Sequence, residues 1–111
     1  MTIFVGEAFT ATPRTAQARR HGNRWCHLTT DAENIEELHL FAARLGLRRS
    51  YFQDAKKWFL HYDLTEAKRE QAVKLGAVEI TWRQEVEMST QRREKLYGKP
   101  MYHVDLETKS Y

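Results

Sequence analysis

Three side chains in this sequence have the types and spacing to do chemistry together: His27, His61 and Asp63. Each histidine lies near the end of a short apolar run that reads as a strand, just before a stretch that reads as a helix. In open α/β sheets ligands gather at that edge, and helix N-termini there offer free N–H groups to an anion. A helix N-terminus also disfavours imidazolium, which leaves a neutral ring fit to act as base or metal ligand. If the second strand runs through Asp63, the two-residue period puts His61 and Asp63 on one face. A carboxylate beside a histidine fixes its tautomer or joins it on a metal. With His21, these residues form a candidate set for a divalent ion that activates water. Plainer readings stand beside this one. Asp63 suits a helix N-cap, and each histidine suits a buried, hydrogen-bonded structural role.

Arg48 and Arg49 are the other candidates. With Lys56, Lys57 and Tyr51 nearby they could clamp a phosphate while an aromatic ring stacks on a base. The alternative is a strand edge kept basic to block pairing. Lys68 and Arg69 read as partners of Glu66 and Glu70, or as solvated charges. His39 reads as a packing or surface residue, and Cys26 alternates away from His27. His103 is given no role. The marks of Walker, dinucleotide, zinc-ribbon, nucleophile-elbow and metalloprotease chemistry are missing from the sequence.

The elements that must position these residues follow from pattern. Residues 2–8 and 24–29 read as strands, joined by an Arg-bearing loop over 9–23. Thr30-x-x-Glu33 fits a capping box, and Ile35, Leu38, Phe41, Ala42 and Leu45 form one helical face that ends at Gly46. Residues 47–52 and 58–62 read as further strands. Asp63-x-x-Glu66 fits a second capping box, with Leu64, Lys68, Ala72 and Leu75 in line and Gly76 closing the helix. Residues 77–82 read as a strand. Leu45-Gly46-Leu47 and Leu75-Gly76-Ala77 lie 30 residues apart and suggest one strand–helix–strand unit used twice. Residues 83–97 predict a charged helix whose thin stripe (Trp82, Val86, Leu96, Tyr97) is solvated or meets a partner chain.

The expected architecture is therefore α/β, a single small domain. It has a mixed sheet of about four to five strands, two packing helices from the two units and a C-terminal charged helix. Residues 1–82 form the core and 83–111 the helix and tail.

The chain is 111 residues long, the size of one domain, and its 41% apolar content is enough to close one core without disulfides. The single Cys26 cannot form an intramolecular disulfide. The first residues lack a secretory apolar stretch, so the reducing cytoplasm is the expected compartment. No apolar run approaches the roughly 18 residues that a membrane span needs. The net charge of +3 is concentrated in residues 1–30 and in the 83–97 helix. A mild basic excess of this kind is compatible with nucleic-acid contact without requiring it.

Several segments together resemble the family known as domain of unknown function 4031, found in bacteria and their phages. They are His21-Gly22, Trp25-Cys26-His27-Leu28, Asp31 and Leu38-His39-Leu40-Phe41-Ala42, then Gly46, Arg49 with Phe52, His61-Tyr62-Asp63 and Leu75-Gly76-Ala77. The resemblance spans about residues 21–80. The chain departs from it at Gly6-Glu7, where members often carry an Asp, and at Cys26, where Ser is frequent. The tail beyond Trp82 looks particular to this chain. The resemblance brings no reaction with it. It strengthens the reading of His27, His61 and Asp63 as a site, and the phage setting implies a role in nucleic-acid metabolism or host takeover.

Three readings are in play. The first is a non-enzymatic binding protein for a phosphate-bearing partner, nucleic acid or nucleotide. The second is a divalent-metal-dependent phosphoesterase or nuclease. The third is an accessory factor that works by protein contact or self-association through 83–111.

Overall fold

The computed structural model describes residues 2–10 and 24–98. His21, His103 and most of the expected 9–23 loop and C-terminal tail lie outside that range. The elements in chain order are β1 (Ile3–Val5), β2 (Phe9–Thr10), β3 (Arg24–Thr30), α1 (Glu36–Arg44), a 3-10 turn at Arg49–Tyr51, β4 (Tyr62–Thr65), α2 (Glu66–Lys74), β5 (Val78–Glu79) and α3 (Trp82–Tyr97).

β3 is the spine of a mixed α/β sheet. β1 and β2 both run antiparallel along one side of it, β4 runs antiparallel along the other, and β5 lies parallel to β1. Side chains of a strand alternate between faces, and β3 uses this to sort its residues. Cys26 and Leu28 point into a core shared with Val5, Tyr62 and Leu64, which α1 closes with Leu38, Phe41 and Ala42 and α2 with Ala72. Trp25 and His27 point the other way. On that second face α3 is moored by Arg92, whose guanidinium donates to the carbonyls of Thr30 and Ala32, and by Glu85, which meets His27. Burial pushes the Cys26 thiol up to about 12, so it is an inert core residue.

The mixed sheet, its packing helices and the C-terminal helix match the architecture expected from pattern; several local readings need correction. The first helix starts at Glu36, not at Thr30. Thr30 stays in the sheet, donating to the Thr2 carbonyl, and Glu33 is taken by an ion pair with Lys95 of α3. Both parts of the proposed capping box are thus engaged elsewhere.

Residues 47–52 are not a strand. Arg49 forks onto Glu36 through both terminal guanidinium nitrogens, at 3.2 and 3.0 Å, and Phe52 packs edge-on against His39, folding the segment into a turn. Only the Gln53–His61 pair is bridged in that region, so the first strand–helix–strand unit lacks its second strand.

The second helix is capped by Thr65, whose hydroxyl accepts from the Lys68 amide, and not by Asp63. Leu64 has to fill the core opposite Cys26, so β4 runs on past Asp63. Lys68 and Arg69 turn away from Glu66 and Glu70: Lys68 donates to the Leu45 carbonyl, and Arg69 to that of Gly6 and to the Glu79 carboxylate. Gly46 and Gly76 end their helices at φ +79° and +108°, the left-handed conformation in which other residues are strained.

The expected strand at 77–82 shrinks to Val78–Glu79, because Thr81 caps α3 in a capping box with Gln84 and draws Trp82 into the helix. The stripe Trp82, Val86, Leu96 and Tyr97 is exposed, and the inward residues of α3 are Glu85, Ser89 and Arg92.

Candidate metal centre

The pairing of β3 with β4 places His27 directly opposite Asp63, on the face turned away from the core. His61 enters from the residue before β4, held by its two-way bridge to Gln53. The two imidazole centroids are 4.6 Å apart.

Each ring is oriented through its Nδ1 atom. His61 Nδ1 donates to the carbonyl of Phe59 at 3.0 Å, and His27 Nδ1 donates to Glu85 Oε2 at 3.1 Å. A carbonyl or carboxylate can only accept, so the proton sits on Nδ1 in both rings and, in the neutral form, Nε2 carries the lone pair. Both Nε2 atoms face the same oxygen, Asp63 Oδ1, at 3.8 Å from His27 and 3.5 Å from His61.

Those separations are too long for hydrogen bonds. They suit two ligands of one ion: donors at ~2.1 Å in tetrahedral array stand ~3.4 Å apart. One donor atom from each of the three residues fits within a 4.8 Å span. Phe59 stacks on His61 at 4.1 Å and meets His27 edge-on at 4.8 Å, while Phe9 lies 4.9 Å from His27. The rings make an apolar wall on one side, and Asp63, at 38% exposure, leaves the other open to solvent.

Glu85 is the residue that the sequence reading missed. It is 7% exposed, one oxygen holds His27 and the other, Oε1, has no hydrogen-bond partner. A Cβ on Gly6 would stand 1.8 Å from that Oε1. Gly6 is thus the clearance that lets Glu85 lie against the sheet. The only hint in the sequence was the glycine itself, since a glycine at a strand end often marks a close approach. Where resemblance leads one to expect an acid near Gly6, a carboxylate arrives instead from α3.

Of the other candidates, Arg49 is committed to Glu36 and Arg48 is exposed; neither joins the histidines. His21 lies outside the described residues. His39 is buried on the core side, sharing a 2.6 Å hydrogen bond with the Tyr62 hydroxyl.

Fold and site together define a small mixed α/β domain with a cluster of two histidines and one carboxylate on the uncored face of its sheet. The chain belongs to the protein of unknown function family DUF4031, whose model matches residues 14–92. The match reaches further than the resemblance over 21–80 suggested and takes in Glu85 and the first part of α3. No curated protein and no solved structure matches the chain. Among the described residues, no helix is long and apolar enough to cross a membrane.

Proposed function

We propose that this protein is a metal-dependent phosphoesterase whose single divalent ion is held by His27, His61 and Asp63. One observation carries the reading: both imidazoles are tied through Nδ1 to protein acceptors while both Nε2 atoms converge on one oxygen of Asp63. Metal-ligating histidines are held in this way, with the distal N–H given to a carboxylate or carbonyl. Two nitrogens and one carboxylate oxygen suit Zn²⁺, Mn²⁺ or Fe²⁺ and leave coordination positions for water and substrate. An ion held there would make a bound water more acidic and would polarise a phosphoryl oxygen. Lys56 and Arg93, exposed beside His27, favour an anionic substrate.

The binding-only reading, in which the histidine-bearing edge and nearby arginines take a phosphate-bearing partner, drops the hydrolysis. It loses the Arg48–Arg49 clamp, since Arg49 is engaged by Glu36. The reducing cytoplasm of a bacterium, including one carrying a phage, is the setting we propose, on the buried free thiol and the family resemblance.

The test is direct. Apo protein titrated calorimetrically with Zn²⁺ and Mn²⁺ takes up one ion per chain, and the loaded form hydrolyses bis(p-nitrophenyl) phosphate. His61→Ala loses both. A folded wild type that binds neither ion disproves the reading.

A further inference from the structure

A groove of about 250 Å³ runs between α3 and the 56–59 segment, and His27 forms part of its wall. Beside the buried Glu85 carboxylate, which is turned onto His27, its remaining walls combine two chemistries. Lys56 and Arg93 are exposed cations, and among the described residues neither is in an ion pair. Trp58, Trp82 and Val86 supply apolar surface, with Trp82 66% exposed and Val86 42%. Trp58 is set by its neighbours: the Arg93 guanidinium lies 4.8 Å over its ring and Tyr97 meets it edge-on at 6.0 Å. Trp82 is set by its backbone, whose amide donates to Glu7 Oε2 at the start of α3. An exposed indole on a fixed helix start, beside two unpaired cations, makes a stacking platform flanked by phosphate contacts.

A larger cleft of about 760 Å³ also borders Glu85, but Asp31 and Glu33 line it as well, Arg92 binds two carbonyls and Lys95 pairs with Glu33, which leaves Lys57, among the described residues, as its one cation outside such contacts. The smaller groove sets two cations outside ion pairs, Lys56 and Arg93, beside exposed aromatic surface.

We infer that this groove binds single-stranded nucleic acid, stacking an unpaired base on Trp82 and seating backbone phosphates on Lys56 and Arg93. The strand then lies beside His27, the one residue of the proposed ion-binding set that borders the groove. This rests on the phosphoesterase reading for its substrate, but it predicts binding with or without the ion. A duplex hides its base faces, so the stacking platform selects an unpaired strand.

Fluorescence anisotropy with a labelled oligothymidylate of about 12 nucleotides, in EDTA and at low salt, tests the inference. Wild type binds the single strand at least tenfold more tightly than a duplex of equal length. Trp82→Ala weakens binding about tenfold. The double variant Lys56→Ala/Arg93→Ala weakens it further and flattens the salt dependence by about 0.7 per lost phosphate contact. All three substituted residues are exposed, and calorimetric Zn²⁺ affinity stays at the wild-type value in each variant. Absence of wild-type binding, equal affinity for duplex, or variants that bind as wild type does would overturn the groove. A protein that binds no ion yet shows the full pattern keeps the groove and refutes the metal centre.

Discussion

The two faces of the sheet are built from neighbouring residues and behave as opposites. On the face closed by α1 and α2, Cys26, Leu28, Tyr62 and Leu64 are each at most 1% exposed and meet other apolar groups. On the face crossed by α3, the residues between them, His27 and Asp63, meet polar groups and open towards solvent. Histidine shows the contrast best. His39, on the core side, has one phenol partner and aromatic neighbours, and burial holds its imidazole below its ordinary range. His27 and His61, on the open side, present converging nitrogens. One sheet thus separates a buried apolar face from a face of clustered polar side chains, largely by strand alternation.

The sharpest way to break this division is to exchange the expected losses. Leu28→Ala removes a fully buried side chain and is expected to cost about 2–5 kcal/mol in urea unfolding. Asp63→Asn on the opposite face is expected to lower Zn²⁺ affinity by at least the roughly 10–100-fold typical of losing an outer-shell partner, while the unfolding midpoint of the apo protein moves little. If Asp63→Asn unfolds the protein as Leu28→Ala does, the two faces are not separable.

Glu85 gives a finer test, because it reaches the proposed ion site through His27. Glu85→Ala is expected to reduce Zn²⁺ affinity by about 10–100-fold. Gly6→Ala is expected to reproduce much of that loss, since its new methyl would collide with Glu85 Oε1. The double variant should be no worse than Glu85→Ala alone; additive losses, read by calorimetry, would mean that Gly6 works by some other route.

The smallest effect belongs to His39. With its folded-state affinity for protons depressed, the unfolded chain binds the proton first, near pH ~6.5. Stability is therefore complete above that pH and falls as the pH drops through it, until the folded state is protonated as well. Arg49, Glu36 and Tyr62 are the ionisable groups close to it. Urea midpoints should decline between pH about 7.5 and about 5.5, and His39→Gln should flatten that decline.

Strand alternation was legible before any coordinates. It separated Cys26 from His27, and it set His61 and Asp63 on one face provided that the strand continued. Helix ends at Gly46 and Gly76 were equally readable, because only a left-handed C-terminal residue was needed there. The starts were harder. Thr30 and Asp63 each headed a capping pattern, but Thr30 was drawn into the sheet by Thr2 and β4 ran through Asp63 to seat Leu64. A capping motif competes with strand pairing, and the sequence does not record which partner is near. Losing the cap role freed the Asp63 carboxylate to face the histidines.

What the sequence determined by itself was the local part: the alternation that sorts core from polar positions, the glycine stops, the charged last helix and the likeness to its family. Tertiary structure alone decided which charges meet. Glu85 has no local feature that sets it apart from Glu87 or Glu94; it is singled out because α3 crosses β3 at His27 and Gly6 leaves room beneath it. A residue 58 positions away in the chain becomes a neighbour only after the sheet has formed. That is why two histidines and an aspartate could be named from the sequence, and the glutamate that orients one of them could not.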